Sequence, residues 1–257
     1  GPAADPPNAK MKQNVGLIIG CARSGTSILG ELAAAHPGVR YIFEPHRIWE
    51  LGGDGAEGSH RLTAEQATPE VRAQIRTWFD GQLGDAQMVV DKTPRNALRV
   101  PFVSAVFPEA KIVHIVRDGR DVACSLLPGI GGPAWRHLKP PDWRSLMTHF
   151  DGIERCARAW QSVMEVVLND LEHVPHLQIR YEDLVAAPMK TAEVLMEHFG
   201  LSADPAVIDF TSKIQDEFEN SYHAKIQDRW YGESHRKRVG RWKELDSASR
   251  RRVNEVL

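Results

Sequence analysis

The 257-residue chain has few cysteines, no long apolar run and almost no net charge, and each absence argues against a class of protein. Its three cysteines show neither CxxC spacing nor a histidine-rich neighbourhood, which disfavours a disulfide framework or zinc site and favours a reducing, cytoplasmic compartment. No run approaches the roughly 18 apolar residues of a membrane span, so none is expected. The formal net charge of −2 argues against a general polyanion binder, and no nucleic acid partner is expected.

The composition of the chain fits a single large globular domain. Apolar residues make up 42% and charged residues 26%, which is ordinary for globular proteins. Residues 1–13 are rich in proline and alanine, and we expect a flexible segment there that includes the remnant of a tag or cleavage site. Residues 14–257 are expected to form one domain.

Short apolar runs typical of buried strands alternate along the chain with amphipathic stretches typical of helices. The strand-like runs are residues 15–20, 39–43, 88–91, 111–116 and 176–181, and the helical stretches include residues 25–36, 95–107, 149–171 and 188–199. This alternation predicts an α/β fold, a three-layer sandwich with a central parallel sheet flanked by helices. Ligands of such folds bind beyond the carboxyl ends of the strands.

The first strand-like run leads into residues 20–27, here called the first anion segment, which has the outline of a P-loop. Gly20 and Gly25 let backbone N–H groups turn inward around an anion, and the helix that follows adds its positive dipole end. Arg23 places a cation inside the loop. The hydroxyl donors of this segment are Ser24, Thr26 and Ser27.

This P-loop outline lacks the lysine of an ATP- or GTP-binding loop. Thr26 occupies the position of that lysine, and Asp91, the only acid at a strand end suited to magnesium, is followed at once by Lys92. The first anion segment therefore predicts a phosphate-like anion and argues against ATP hydrolysis. A glycine-bounded turn without a ligand is the alternative.

A second strand, turn and helix start lie in residues 115–126, here called the second anion segment. Arg117 leaves the strand end, and Ser125 lies in the following helix. An arginine fork with a hydroxyl is a good receptor for a phosphate, although Arg117 and Asp118 alone would also fit a surface ion pair. Two receptors at neighbouring strand ends call for a nucleotide with phosphates on both sides of its ribose.

Four segments in order resemble motifs of the sulfotransferases that use 3′-phosphoadenosine 5′-phosphosulfate: GCARSGTS, IVRDGRDVACSL, RYEDL and RKRVGRWK. The resemblance implies that the first anion segment holds the 5′-phosphosulfate without a metal and that Arg117 and Ser125 hold the 3′-phosphate. It also places Tyr181 near the adenine. Finally, it implies that residues 236–243, the C-terminal basic segment, fold over the 3′-phosphate with Arg236, Lys237, Arg238 and Gly240.

Sulfuryl transfer needs an acceptor that loses its proton and cations that balance the charge on the transferred and leaving groups. Glu44 follows the second strand-like run, level with the first anion segment, and is the first candidate for the general base. His46 is the second, because an ordinary histidine titrates near neutral pH. The resemblance implies that Lys92 approaches the transferred group. Arg23 and Lys92 are then the electrostatic stabilisers.

Three functions remain open from the sequence, with a sulfotransferase that releases adenosine 3′,5′-bisphosphate as the first. The others are a P-loop kinase using ATP and Mg²⁺ and a non-catalytic nucleotide-binding module. Residues 51–60 are predicted to be a mobile loop, and residues 127–145 are predicted to be irregular because of their glycines and prolines. Residues 51–60 and 127–150 are expected to shape the acceptor pocket. Carbohydrate, peptide tyrosine, lipid and small phenol remain open as acceptors, and no pattern indicates the oligomeric state.

Overall fold

The computed structural model describes residues 14–216 and 238–257. Residues 1–13, which are predicted to be flexible, lie outside the described residues, as do Arg236 and Lys237. Within the described part of the chain, no helix combines the length and the apolar character needed to cross a bilayer.

Five parallel strands form one sheet, in the order β2-β3-β1-β4-β5. They are β1 (Val15–Ile19), β2 (Val39–Phe43), β3 (Met88–Lys92), β4 (Lys111–Val116) and β5 (His176–Arg180). The central strand β1 is buried along its whole length, because strands flank it and helices cover both faces. The predicted parallel sheet is confirmed, and each strand ends within one residue of its predicted position.

Helices follow the strands and cover the sheet. The α-helices of the described residues are α1 (Thr26–Ala34), α2 (His46–Trp49), α3 (Pro69–Leu83), α4 (Val100–Val106), α5 (Gly119–Ile130), α6 (Trp143–His149), α7 (Gly152–Leu171), α8 (Tyr181–Ala186), α9 (Pro188–Phe199), α10 (Pro205–Asp216) and α11 (Ser247–Val256). Short 3₁₀ turns lie at Glu50–Gly52, Ala56–Gly58, Ala64–Gln66, Pro94–Leu98 and Arg241–Glu244.

Two hydrophobic clusters, one on each face of the sheet, make the fold a three-layer sandwich. Leu17 and Ile19 of β1 join the cluster that contains α3, α4, α5 and α7. Ile18 points to the other face and joins the cluster that contains α1, α8, α9 and α10. Successive strand residues face opposite sides, so one apolar run supplies both cores.

The two segments expected to be irregular contain more structure than their composition indicates. Helix α5 continues through Pro128 to Ile130, and α6 begins at Trp143, so the reading of residues 127–145 as irregular was wrong at both ends. A proline this close to the end of a helix removes only one hydrogen bond of the last turn, which is a small loss.

The segment 51–60, expected to be a mobile loop, is attached to residues 139–144. His60 is buried; its backbone N–H donates to the Lys139 carbonyl at 2.8 Å, and its Nδ1 accepts from the Lys139 N–H at 2.9 Å. The indole N–H of Trp143 donates to the carbonyl of Glu57 at 3.2 Å. The two segments expected to shape the acceptor pocket therefore form one continuous wall.

A buried arginine, Arg155 of α7, holds the second part of this wall in place. Its Nη1 donates to the carbonyls of Ile130 at 2.8 Å and Gly132 at 2.6 Å. Its Nε donates to Phe150 O at 2.7 Å, and its Nη2 donates to Met147 O at 3.1 Å. A single guanidinium thus satisfies carbonyls that glycine- and proline-rich backbone leaves without regular partners.

Candidate active site

The first anion segment connects β1 to α1 through a tight turn. Gly25 has a φ of 95°, and a Cβ atom there would lie 2.5 Å from Cδ2 of Tyr181, so only glycine fits. No side chain in residues 14–216 or 238–257 caps the N-terminus of α1, which leaves its first N–H groups available to an anion. The hydroxyl of Ser24 is buried and has no hydrogen-bond partner among the described residues. These features suit a bound anion.

Arg23 and Arg117 join the two anion segments. The Nε of Arg23 donates to Ser125 Oγ at 2.8 Å, across 102 residues of sequence. The Nη1 of Arg117 donates to the backbone carbonyl of Arg23 at 3.0 Å. The two predicted receptors are therefore adjacent at one edge of the sheet.

The guanidinium of Arg117 lies at the centre of this region. It is buried and stacks over the ring of Tyr181 at 4.5 Å, while its Nη2 donates to the carbonyl of Arg238 at 2.9 Å. Its Nε has no partner among the described residues. A cleft opens here, lined by Arg23, Gly25, Thr26, Ser27, Ile28, Arg117, Tyr181 and Arg238.

A second, larger cavity shares three arginines with the first cleft: Arg23, Arg117 and Arg238. Ser125 and Arg241 also line it. The structure therefore brings together the predicted residues of both phosphate receptors and the described part of the C-terminal basic segment. Gly240 of that segment has a φ of 78°, and Arg238 is buried.

Glu44, Lys92, Ser27 and His46 form a compact polar cluster beside the first anion segment. The Nζ of Lys92 lies 2.5 Å from Glu44 Oε1 and 3.2 Å from Ser27 Oγ, and Glu44 Oε2 lies 3.2 Å from Nε2 of His46. The Lys92 side chain is only 1% exposed and lies over the ring of Phe43 at 3.9 Å. The two candidate bases are therefore in contact with each other.

The surroundings of Glu44 keep its carboxylate ionised. Burial alone would raise the pKa of Glu44, but the hydrogen bond with His46 and the ammonium of Lys92 outweigh burial and lower this pKa to about 2. Burial also lowers the pKa of Lys92, while Glu44 opposes that shift. Glu44 is therefore a charged but weak base as long as Lys92 remains bound to it.

The backbone at Glu44 is unusual and locates the carboxylate. Its φ of 43° lies in the left-handed region, which non-glycine residues rarely adopt. The rare residues that do adopt it are often found at functional sites. Its N–H donates to the carbonyl of Lys92 at 3.0 Å, so the chain leaves β2 still attached to β3. Pro45 follows at once and starts the turn into α2.

Asp91, the acid considered for magnesium, faces away from the anion segments. Side chains alternate along β3, so Asp91 lies on the opposite face of the sheet from Lys92. It is fully buried and accepts hydrogen bonds from Trp49 Nε1 at 3.0 Å and Thr93 Oγ1 at 3.1 Å. Burial raises the pKa of Asp91 to about 7. Asp91 therefore anchors α2, the helix that follows Glu44, through its Trp49.

His137 lies closer to the cluster than its position in the chain suggests. Burial, with the positive charge of Arg23, lowers the pKa of His137 to about 4, while Glu44 acts in the opposite direction. The ring packs against α5, where a Cβ on Gly129 would lie 2.4 Å from its Nε2. Because the wall places this ring by tertiary contacts, no local pattern could have indicated its position.

Comparison with known proteins assigns a family to this arrangement. Residues 17–205 match the family model described as "Sulfotransferase family". Nodulation protein NoeE of Sinorhizobium fredii (strain NBRC 101917 / NGR234) is 25% identical over 228 residues, covering 78% of this chain and 53% of NoeE. Protein-tyrosine sulfotransferase A of Caenorhabditis elegans is 25% identical over 207 residues, covering 74% and 51%. The chain spans about half the length of these curated relatives.

Solved structures share the fold at low sequence identity. The sulfotransferase domain from the curacin biosynthetic pathway has a TM-score of 0.58 at 17% identity, covering 96% of this chain and 98% of that domain. Mouse sulfotransferase SULT7A1 complexed with PAP has a TM-score of 0.51 at 15% identity, covering 94% and 82%. The α/β fold predicted from the sequence is thus confirmed by its neighbours.

Proposed function

The chain belongs to the sulfotransferase family, and from this we propose that it transfers a sulfuryl group from 3′-phosphoadenosine 5′-phosphosulfate to an acceptor hydroxyl or amine. Adenosine 3′,5′-bisphosphate is the other product. The observation that carries the proposal is the joining of two anion receptors, through Arg23, Ser125 and Arg117, beside the pair of Glu44 and Lys92.

The residues of the site fit this nucleotide. Ser24 and Arg117 each keep a buried polar atom without a partner among the described residues, as expected where a ligand supplies the partner. The first anion segment would hold the 5′-phosphosulfate, and Arg117, Ser125 and Arg238 would hold the 3′-phosphate. Tyr181 would lie near the adenine, and the backbone of Gly240 would help to close the site. The assignments of Arg236 and Lys237 stay predictions, outside the described residues.

The nucleotide supplies an activated sulfuryl group, and the chain supplies a base and positive charge. Glu44 accepts the proton of the acceptor, and Lys92 and Arg23 balance negative charge on the transferred and leaving groups. Lys92 lies within reach of both Glu44 and Ser27. An anion in the first anion segment would draw Lys92 away from Glu44, which raises the pKa of Glu44 and strengthens it as a base.

The wall formed by residues 51–60 and 127–150 would face the acceptor, with His137 close enough for the charges of Arg23 and Glu44 to act on its ring. Relatives named as protein-tyrosine sulfotransferases favour a tyrosine-type acceptor, and carbohydrate, lipid and small phenol remain alternatives.

A thermal-shift panel tests the nucleotide assignment and separates it from a kinase. At a concentration of about 100 times its Kd, adenosine 3′,5′-bisphosphate without metal should raise Tm by about 5–10 °C, because it binds only the folded state. ATP with Mg²⁺ should raise Tm much less, since Thr26 stands in place of the phosphate-binding lysine. A larger shift with ATP and Mg²⁺ would favour the kinase.

Replacing Arg117 with alanine tests the second receptor. We expect the affinity for adenosine 3′,5′-bisphosphate to fall about 10- to 150-fold, as for the loss of a charged hydrogen bond worth about 1.5–3 kcal/mol. Isothermal titration calorimetry measures the change. Arg72→Ala on the exposed surface of α3 removes the same charge elsewhere and should leave the affinity unchanged. Equal affinities of the Arg117 variant and the wild type would refute the assignment.

A further inference from the structure

Asp121 is an acid buried in a region built of arginines. It lies in the first turn of α5, is 2% exposed, and lines the larger cavity. A carboxylate in this position repels the anion that the neighbouring guanidinium groups would attract. Its presence therefore calls for a function that outweighs this repulsion. The arginines lining the same cavity are Arg23, Arg117, Arg238 and Arg241.

Both oxygens of Asp121 bind the backbone of the C-terminal basic segment. Oδ2 accepts from the N–H of Gly240 at 2.8 Å, and Oδ1 accepts from the N–H of Trp242 at 3.0 Å. The left-handed conformation of Gly240 begins the 3₁₀ turn Arg241–Glu244. The carboxylate therefore sits at the N-terminal end of this turn, where N–H groups lack partners within the turn and negative charge is stabilising.

Two neighbours of Asp121 hold the same segment. The guanidinium of Arg120 lies 3.9 Å from the ring of Trp242. The Nη2 of Arg117 donates to the carbonyl of Arg238 at 2.9 Å. Residues 117–121 thus bind residues 238–242 at three points, although more than 100 residues of sequence separate them.

We propose that Asp121 is a positioning residue that docks residues 238–242 of the C-terminal basic segment onto α5 and thereby completes the receptor for the 3′-phosphate. This inference depends on the nucleotide assigned under the proposed function. Asp121 acts through the segment that carries Arg238, and its own carboxylate oxygens are occupied by backbone N–H groups. Its contribution to binding therefore exists only for nucleotides that carry a 3′-phosphate.

The test compares two nucleotides that differ in the 3′-phosphate. For Asp121→Asn, the affinity for adenosine 3′,5′-bisphosphate should fall about tenfold or more, because one of the two charge-assisted hydrogen bonds is lost (an amide NH₂ cannot accept) and the other loses its charge. The affinity for adenosine 5′-monophosphate should change less than about twofold, since no contact of that nucleotide is removed. Calorimetry gives both values, and amide hydrogen exchange at residues 238–245 should become faster in the variant.

Glu244→Gln is the matched control for charge. Glu244 lines the same cavity and is exposed, and among the described residues its carboxylate accepts no hydrogen bond from the backbone N–H groups of the segment. Removing its charge should leave the affinity for adenosine 5′-monophosphate unchanged and should not weaken the binding of adenosine 3′,5′-bisphosphate, because it only removes repulsion of the 3′-phosphate in this cavity. A selective loss in this control as well would assign the Asp121 effect to charge and overturn the docking role.

The other outcomes are also decisive. If Asp121→Asn lowers the affinity for both nucleotides by the same factor and leaves amide exchange at residues 238–245 unchanged, Asp121 does not dock the segment and the proposal is wrong. If Asp121→Asn does not fold, Trp242→Ala loosens the same segment by removing its ring contact with Arg120 and should show the same selective loss. Faster amide exchange at residues 238–245 in this variant without a selective loss would overturn the proposal. If the wild-type protein binds adenosine 3′,5′-bisphosphate and adenosine 5′-monophosphate with equal affinity, the nucleotide assignment is wrong. The rate of amide exchange at residues 238–245 in Asp121→Asn then still shows whether Asp121 docks the segment.

Discussion

Replacing Glu44 with glutamine should lower turnover by about 10²-fold or more and leave the affinity for adenosine 3′,5′-bisphosphate unchanged. Glutamine keeps an oxygen that can accept from Lys92, so the buried ammonium keeps a partner and the fold is preserved. It removes the capacity to take a proton from the acceptor. Steady-state kinetics gives kcat, and calorimetry gives the nucleotide Kd.

His46→Gln is the matched control for the Glu44 variant, because His46 contacts the same carboxylate at 3.2 Å. If Glu44 is the base, the His46 variant should keep most of its turnover, with a modest change from the loss of one hydrogen bond to Glu44. A large loss in His46→Gln together with normal turnover in Glu44→Gln would make His46 the base. Normal turnover in both variants would place the base elsewhere, with His137 as the next candidate.

Replacing Lys92 with methionine should lower turnover by about 10²- to 10³-fold, the range found when one donor to a developing negative charge is removed. Methionine matches the aliphatic length of lysine and suits a site that is 1% exposed, so the loss is one of charge rather than of packing. Lys111→Met is the control, because Lys111 lies at the amino end of β4, away from the site. Full turnover in the Lys92 variant would exclude Lys92 from catalysis.

We also expect the Lys92→Met variant to change the pKa of Glu44. The wild-type pKa of Glu44 is lowered to about 2, so the base stays ionised throughout the ordinary assay range. Without the ammonium, burial is opposed only by His46, so the pKa of Glu44 should rise. Activity that depends on ionised Glu44 is lost as the pH falls through this higher pKa. A ¹³C NMR titration of the Glu44 carboxyl measures the shift, and an unchanged pKa would refute the coupling to Lys92.

The same coupling affects the pH dependence of folding. The folded-state pKa of Glu44, about 2, lies below its ordinary value of 4.5, so the unfolded chain binds more protons in acid. The stability from this group is complete above pH 4.5 and is lost as the pH falls from there toward 2. Lys92→Met should therefore show a smaller loss of stability over this acid range.

Elements with local signals were predictable from the sequence. The apolar runs that became β1 to β5 are continuous and short, and glycine or proline ends several of them, so their boundaries and parallel pairing followed from composition. Arg117 and Glu44 follow strand ends directly, and the carboxyl ends of parallel strands share one edge. Their presence at a common site followed from that rule. The prediction that residues 127–145 are irregular was wrong at Pro128, because a proline disturbs a helix little when it lies near the C-terminal end, as Pro128 does in α5.

The sequence by itself determined the fold class, the motifs at the strand ends and the types of side chain available for chemistry, because each depends on neighbours within a few residues. Only the tertiary structure decided which groups meet. The contacts of Arg23 with Ser125, of Lys92 with Glu44 and of Asp121 with the C-terminal basic segment depend on the strand order and on loop closure across long stretches of chain. The hydropathy pattern of the sequence does not specify the order of the strands in the sheet. The pKa of Glu44 depends on that order, because the order brings Lys92 next to its carboxylate.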